Sequence, residues 1–246
     1  MSLQREFEAE GNWLFRWRSY LPFVLLVPLC VAMKAYEWPL HSYRLHEWWE
    51  AFCLAVSFGG LGVRVLVVGF TPRGTSGRNT HCQIAEALNT GGLYSLVRHP
   101  LYVGNFLIWA GIAMFALTWW LLAIYVLAFW LYYERIMFAE EAFLRRRFGD
   151  QFVEWAAKTP PFVPRFSRWR RPALPFCWRT VLRREYTGFF GICVAFVLLE
   201  FAEHWIVERS IAIETHWIVL GALGSLVYVV LRTLRKRTRV LQITGR

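Results

Sequence analysis

The chain alternates long apolar stretches with short polar segments, and six of the apolar stretches are candidates for membrane spans. About 20 apolar residues, each rising 1.5 Å along a helix, are needed to cross a hydrocarbon core of about 30 Å. The pattern therefore predicts an all-α, polytopic membrane bundle with about six transmembrane helices. These are expected over residues 20–36, 47–70, 101–117, 119–133, 188–206 and 215–231.

The apolar stretch 101–133 is too long for one straight span, because as a single helix it would measure about 50 Å. Thr118 is a suitable helix N-cap, and Trp119 and Trp120 after it are typical of a membrane–water interface. We therefore predict a helical hairpin that reverses near Thr118, so that both of its ends lie on the same side of the membrane.

Composition strengthens the membrane interpretation, since 57% of the 246 residues are hydrophobic, including 14 Trp and 20 Phe. The net charge of +11 could indicate nucleic-acid binding, but most of the 28 Lys and Arg residues fall in segments that share one side if the N-terminus is cytosolic. That is the positive-inside pattern. We expect a multi-pass integral membrane protein, in the inner membrane if the source is a bacterium, without a nucleic-acid partner.

The chain reads as a single membrane domain over residues 1–246, without a removable signal peptide. Two N-terminal spans (1–70) are followed by a central core (71–165) and then by a basic, aromatic interfacial connector with a C-terminal two-span hairpin (166–246). The five cysteines are scattered and show no CxxC pair or Cys/His cluster. We predict no disulfide framework and no metal site.

Polar chemistry collects at the two ends of the predicted hairpin. Arg98 and His99 directly precede Pro100, which suits the first position of a helix whose N-terminus attracts anions. The returning helix brings Glu140 to the same surface, although some 40 residues separate it from His99. The alternative is that Arg98 and His99 are interfacial anchors, and that Glu140 and Glu141 pair with arginines on a solvated helix face.

Other polar positions also have both a functional and a purely structural interpretation. Arg73 and Arg78 add donors near the same place, or they belong to a simple polar loop. Arg64 lies inside an apolar span, where it should face protein or extend to the interface. The glycines at 59–62 suggest close helix packing. The remaining polar group, Glu200, Glu203 and His204, is expected at the outer interface.

Two segments, "LNTGGLYSLVRHPLYVGN" and "ERIMFAEEAFLRRRFGDQFVEW…TPPFVPR", resemble the isoprenylcysteine carboxyl methyltransferase and phospholipid methyltransferase superfamily of integral membrane enzymes. The resemblance covers about residues 75–165. Its elements are Gly-x-Tyr, Arg-His-Pro-x-Tyr-x-Gly, the Glu-Glu pair and Phe-Gly-x-x-Phe, in family order and spacing. It implies a methyltransferase that binds S-adenosylmethionine on the cytosolic side without a Rossmann domain.

Carried over by position, the resemblance implies catalytic roles for Arg98, His99 and Glu140. Substrate contacts are expected from Arg73, Arg78 and Arg98. The expected cofactor contacts are Leu88, Asn89, Tyr94, His99, Pro100, Leu101, Tyr102, Glu140 and Glu141.

Methyl transfer from a sulfonium is an in-line displacement that mainly requires alignment and exclusion of water, so no metal is needed. An acidic oxygen is already ionised at neutral pH and needs cations to hold it, whereas an amine would need a base. The arginines favour a phosphate or carboxylate of a lipid or lipidated substrate, with a phosphorylated lipid such as lipid A phosphate preferred. Amine headgroups of phospholipids and prenylcysteine carboxylates stay open as alternatives.

Two other classes of protein compete with this interpretation. Membrane sterol reductases share a similar hairpin and an Arg-His-Pro segment but use NADPH; they tend to carry Asn-Tyr after the proline, where this chain has Leu101-Tyr102. A transporter or scaffold is disfavoured, because transporters place charges near the midplane and show internal repeats.

Overall fold

The computed structural model describes residues 2–72, 83–211 and 213–243, and the regular secondary structure in them is helical. Over these residues no strand forms, and one isolated antiparallel bridge joins Gly92 to Arg170. The predicted all-α class is confirmed. The helices are α1 (Leu3–Trp17), α2 (Leu26–Met33), α3 (Tyr43–Phe70), α4 (Pro100–Phe115), α5 (Trp119–Phe148), α6 (Asp150–Lys158), α7 (Trp178–Val207) and α8 (Thr215–Arg237).

Helices α3, α5, α7 and α8 are each long and apolar enough to cross a membrane. The count rises to five if α1 and Leu21–Met33 together form one span, but these segments meet at 82°. Helix α4 has 16 residues, about 24 Å, which is shorter than a typical hydrocarbon core. The expected number of six spans is therefore not confirmed, because one candidate is sharply bent and another is short.

Helices α4 and α5 form the predicted hairpin. Thr118 immediately precedes α5, and the Tyr125 hydroxyl donates to the Phe106 carbonyl across the hairpin at 2.6 Å. Helix α5 does not end with its apolar part but continues through Glu140 to Phe148, where Gly149 adopts a positive φ of 53°. The start of α4 and the second half of α5 consequently lie on the same side of the bundle.

Small residues allow α3 to pack closely along α4. A Cβ added to Gly60 would lie 2.5 Å from the Gly104 carbonyl oxygen, so the two backbones touch there. The Ser57 hydroxyl reinforces the contact by donating to the Ile108 carbonyl at 2.9 Å. Gly59, by contrast, has no neighbour within 4 Å of such a Cβ. The predicted close packing of the glycine segment is thus found at Gly60.

Helix α7 packs against both α3 and α8, which places it at the centre of the bundle. Phe58 of α3 meets Phe189 of α7, with ring centroids 5.8 Å apart, and Gly224 of α8 lies against Cys193. Cys193 is a free thiol, as are the other cysteines among the described residues.

The chain that follows α6 returns beside the segment leading into α4. The backbone N–H groups of Arg98 and His99 donate to the carbonyls of Pro160 and Pro161 at 2.8 and 3.2 Å. In the opposite direction, Arg165 N–H donates to the Leu96 carbonyl at 2.9 Å. This backbone pairing fixes residues 96–99 against residues 160–165.

The far end of the bundle holds a buried polar cluster. Glu200, Glu203 and His204, which we expected at the outer interface, are 1%, 0% and 5% exposed. They face the first turns of α3, where His46 and Glu50 are also buried. The expectation of a position at the outer interface is not tested, but α7 turns these side chains towards α3 and buries them there.

Candidate active site

A cavity of about 510 Å³ opens between α1, α3, α4, α5 and α7 at the end of the bundle where the hairpin begins and ends. Its volume lies within the range of small-molecule sites. Eight of the nine residues expected to contact a cofactor line it: Leu88, Asn89, Tyr94, His99, Pro100, Leu101, Tyr102 and Glu140.

Two glutamates on α5 hold the imidazole and guanidinium that precede α4. Glu141 accepts from Arg98 Nη1 at 2.5 Å through Oε2 and contacts His99 Nε2 at 2.9 Å through Oε1. Glu140 Oε2 lies 3.5 Å from His99 Nδ1. Both ring nitrogens of His99 therefore face carboxylates, which the two ends of the hairpin bring together as predicted.

Tyr102 connects this network to the wall of the cavity. Its hydroxyl donates to Glu140 Oε1 at 2.7 Å, and its ring stacks on His99 with centroids 5.7 Å apart and planes at 16°. One face of the imidazole is thus covered by an aromatic ring while its edges meet carboxylates. Glu140 contacts Tyr102 and His99 and also lines the cavity. Glu141 does not line the cavity and instead contacts Arg98 and His99.

The same environment determines the charge of His99. Burial lowers the pKa of His99, but the hydrogen bonds to Glu140 and Glu141 and their negative charges more than offset this effect, so the pKa lies above its usual value of 6.5. A protonated His99 can donate from both ring nitrogens, which matches its two carboxylate neighbours. The raised pKa favours the protonated form of His99 beside these two carboxylates.

The first turn of α4 offers fewer free backbone donors than we expected. Tyr102 and Val103 N–H groups donate to the His99 carbonyl at 3.0 and 3.3 Å, while Arg98 and His99 N–H groups are taken by Pro160 and Pro161. Attraction of an anion to this place consequently depends on side chains. The Nε atom of Arg98 is buried without a hydrogen-bond partner, and the Arg98 side chain lines the cavity.

A second charged group on the cavity wall was not predicted as a site. Arg64 of α3 donates to Glu185 of α7 from Nε at 2.8 Å and from Nη2 at 2.9 Å, and its Nη1 donates to Asn105 Oδ1 at 2.6 Å. Asn105 in turn donates to the Tyr133 hydroxyl at 3.1 Å. Arg64 thus faces protein, one of the two outcomes foreseen for it, and links three helices at the cavity.

Several lining residues escaped the sequence analysis because their positions depend on tertiary packing. Helix α1 contributes Phe15 near the cavity, and the chain after it contributes Arg18, although the N-terminus was assigned no role. The start of α7 adds Arg184 and Glu185. A charged residue inside an otherwise apolar span, such as Arg64, was the one available signal for this part of the wall. Arg73 and Arg78, expected to bind substrate, lie outside the described residues.

Comparison with known proteins identifies the family. A profile described as phospholipid methyltransferase matches residues 57–151. The nickel-cobalt-cadmium resistance protein of Alcaligenes xylosoxydans xylosoxydans is 33% identical over 169 residues, which cover 67% of this chain and 76% of that protein. The cobalt-zinc-cadmium resistance protein of Cupriavidus metallidurans is 38% identical over 119 residues, covering 48% of this chain and 52% of the relative.

A further relative carries an enzymatic name. The protein-S-isoprenylcysteine O-methyltransferase of Schizosaccharomyces pombe is 37% identical over 78 residues, which are 31% of this chain and 33% of that enzyme. No solved structure matches. The chain belongs to the isoprenylcysteine carboxyl methyltransferase and phospholipid methyltransferase superfamily, and it is an integral membrane methyltransferase.

Methyltransferases of this kind generally use S-adenosylmethionine, and the donor set of the cavity fits that molecule. A carboxylate at Glu140 suits an ammonium group or ribose hydroxyls, and the unpartnered Arg98 Nε suits a carboxylate. Tyr94, Phe143 and Trp155 supply aromatic surface for a purine ring.

Proposed function

We propose that this enzyme transfers the methyl group of S-adenosylmethionine to an acidic oxygen, a phosphate or a carboxylate, of a lipid or lipidated substrate. A phosphorylated lipid is favoured, with lipid A phosphate as one example. The observation that carries the proposal is the buried, unpartnered Arg98 Nε in a cavity that also contains the Glu140 carboxylate. This pairing of opposite charges matches the charged groups of the methyl donor.

In this proposal Arg98 holds the donor's carboxylate, His99 adds positive charge beside it while its ring nitrogens stay paired with Glu140 and Glu141, and Glu140 holds the donor's ammonium group or ribose. Glu141 positions Arg98 and His99 by contacting both. Tyr102 orients Glu140 through its 2.7 Å hydrogen bond. The remaining expected contacts, from Leu88, Asn89, Tyr94, Pro100 and Leu101, shape the wall around the donor.

The bound donor supplies an activated methyl group together with its own leaving group. The residues of the chain align the acceptor oxygen with that methyl group and keep water away, so the reaction needs no nucleophilic side chain. An ionised oxygen needs no base. The two carboxylates raise the pKa of His99 and favour its protonated form, and a protonated imidazole cannot take a proton from an amine acceptor. This favours a phosphate or carboxylate over an amine headgroup.

Positive charge around the cavity supports an anionic acceptor. Arg18, Arg64 and Arg184 line it together with Arg98, and Arg64 pairs with Glu185 and Asn105. Arg73 and Arg78 precede these lining residues of α4 in the sequence and lie outside the described residues. We propose that this positive charge attracts the acceptor headgroup and that the cavity opens to the cytosol, where the positive-inside pattern puts most of the basic residues.

Two relatives are named for resistance to nickel, cobalt, zinc or cadmium, and methylation of an anionic oxygen has a consequence that fits those names. Esterification removes one negative charge from a headgroup. A less negative membrane surface attracts fewer divalent cations. This gives a second physical reason to prefer a phosphate or carboxylate acceptor.

The test begins with cofactor choice. We expect S-adenosylmethionine to raise the melting temperature of the detergent-purified protein, because a ligand that binds only the folded state stabilises it, and NADPH to leave it unchanged. Stabilisation by NADPH alone would overturn the assignment of the donor.

The acceptor is then found by incubation with methyl-deuterated donor and total membrane lipids, followed by mass spectrometry. We expect the label on a phosphate or carboxylate. Release of the label as methanol by mild alkali would identify a carboxyl ester. Label on an amine would contradict the proposed acceptor class while leaving the donor intact.

A further inference from the structure

Four titratable side chains converge at the end of α3 and α7 that lies far from the cavity. His46 and Glu50 are four residues apart on one face of α3, and Glu200 and Glu203 are three residues apart on one face of α7. All four are buried, with 1%, 4%, 1% and 0% of their surface exposed. One donor atom from each lies within 4.8 Å of the others.

His46 contacts two of the three carboxylates at ion-pair distance. His46 Nε2 is 2.6 Å from Glu203 Oε2 and 3.0 Å from Glu50 Oε1. None of His46 Nε2, Glu50 Oε1, Glu200 Oε2 and Glu203 Oε2 has a partner with good hydrogen-bond geometry. Each residue therefore contributes one buried polar atom, the imidazole Nε2 or a carboxylate oxygen, to a group within 4.8 Å.

The other atoms of these residues are satisfied by neighbours. His46 Nδ1 pairs with the Tyr36 hydroxyl at 2.8 Å, and Trp38 Nε1 donates to Glu203 Oε1 at 2.5 Å. His204 Nδ1 lies 3.3 Å from Glu200 Oε1. Such outer contacts orient the ligands in metal sites, where a ligating histidine is typically fixed through its second ring nitrogen.

Electrostatics requires a cation or protons at this place. Three carboxylates in a dry, helix-packed environment repel one another strongly, and a buried unpaired charge is costly. Even with His46 and His204 both protonated, the three carboxylates exceed the positive charge by one. A divalent cation would neutralise most of the carboxylate charge and would bind all four atoms of the group.

We infer that His46, Glu50, Glu200 and Glu203 form a binding site for a divalent transition-metal cation. One imidazole and three carboxylates suit a borderline ion such as Zn²⁺ or Co²⁺ better than Mg²⁺, which rarely binds in dry cages made only of protein ligands. Tetrahedral ligands about 2.0–2.1 Å from Zn²⁺ lie roughly 3.4 Å apart, between the closest and the widest separations found here.

The site is separate from the methyltransferase cavity. At 1.5 Å per residue, about 21 Å of α3 lies between Glu50 and Arg64, and about 22 Å of α7 lies between Glu185 and Glu200. The ion would therefore join α3 to α7 at one end of the bundle, while the Arg64–Glu185 pair joins the same helices at the other end. This role is a structural one that requires no change in the proposed chemistry.

Metal retention by the full-length protein, purified in detergent without a histidine tag, tests the site directly. After chelator treatment, incubation with Zn²⁺ and desalting, we expect about one Zn²⁺ per chain by elemental mass spectrometry. Co²⁺ should give visible absorption bands of a low-coordinate site, and Zn²⁺ should raise the melting temperature. A folded protein that retains neither ion would overturn the inference and leave protonated carboxyl groups as the explanation of the cluster.

The variants Glu203→Gln and Glu50→Gln keep the side-chain shape and remove one charge each. We expect each to weaken Zn²⁺ binding at least tenfold, while the shift of melting temperature produced by S-adenosylmethionine stays as in the unmodified protein. Glu47→Gln is the matched control, because Glu47 is exposed on α3 next to His46. Equal loss of Zn²⁺ in the control, or no loss in the two cluster variants, would refute the site without touching the proposed function.

Discussion

Arg98 and Glu141, which are 43 residues apart in the chain, form an ion pair with 2.5 Å between Nη1 and Oε2. The pair exists because α4 and α5 are antiparallel and α5 continues beyond its apolar part. Glu141 uses its second oxygen on His99, so one carboxylate fixes both residues that precede the helix. The cavity therefore depends on a contact that neither hairpin end could make alone.

Replacing Glu141 by glutamine tests this positioning role. The amide keeps the shape but loses the charge that pairs with Arg98, so we expect affinity for S-adenosylmethionine to fall about tenfold. Because the pair is partly exposed, the expected loss of stability is only about 1–2 kcal/mol. Isothermal titration and thermal unfolding in detergent measure the two effects. Glu134→Gln, at an exposed position on the same helix, should change neither.

Tyr102→Phe removes a single hydroxyl and keeps the ring that stacks on His99. Glu140 Oε1 then loses its donor, and we expect kcat/KM for methyl transfer to fall about tenfold with little change in melting temperature. Tyr132→Phe is the control, since that hydroxyl makes one long contact of 3.3 Å with the Leu14 carbonyl. Equal activity of both variants would remove the role assigned to Tyr102.

The raised pKa of His99 predicts a pH-dependent stability. Folding favours the protonated ring, so its stabilising contribution is complete below the usual value of 6.5 and is lost as pH rises through the higher folded value. We expect the difference in melting temperature between the unmodified protein and His99→Asn to be largest at mildly acidic pH and to shrink as pH rises. A difference that grows with pH would contradict a protonated His99.

The Arg64–Glu185 contact predicts that lysine cannot replace arginine. Lysine cannot make the two parallel bonds to Glu185 and the third to Asn105, so Arg64→Lys should lower the melting temperature and the rate of methyl transfer. Glu185→Gln combined with Arg64→Lys should cost less than the sum of the single changes, with a coupling energy of about 1–3 kcal/mol. Strict additivity would show that the two residues do not interact.

Alanine substitutions at Gly59 and Gly60 test helix propensity and helix packing separately. Gly60→Ala places a Cβ 2.5 Å from the Gly104 carbonyl oxygen and must push α3 away from α4, so we expect a lower melting temperature and weaker cofactor binding. Gly59→Ala meets no atom and should stabilise the protein by about 0.5–1 kcal/mol through helix propensity alone. Loss of stability in Gly59→Ala would argue against the assigned packing face.

Hydropathy and the resemblance predicted the hairpin and brought Arg98, His99 and Glu140 to one place, because a single reversal of two apolar helices is enough to make their outer ends neighbours. The expected six spans are not confirmed, since hydropathy alone does not register the 82° bend after α1 or the shortness of α4. Glu141 was grouped with the cofactor contacts, because a motif does not say which of two adjacent glutamates faces the cavity.

The sequence alone did not predict which distant polar residues would pair. Arg64 and Glu185 are 121 residues apart, and only the packing of α3 on α7 makes them partners. The His46–Glu50 and Glu200–Glu203 spacings each place two potential metal ligands on one helix face, which was a usable signal. Their meeting still required the knowledge that α3 and α7 are neighbours.

Two features determine how much of the chain is needed to transplant the cavity into another scaffold. Residues 96–99 pair with the backbone of residues 160–165, and Glu185 forms part of the cavity wall. The matched profile stops at residue 151, before either feature. A graft of residues 57–151 alone would carry the charged groups without residues 160–165, whose backbone pairs with residues 96–99. A working transplant must therefore extend at least through the opening turns of α7.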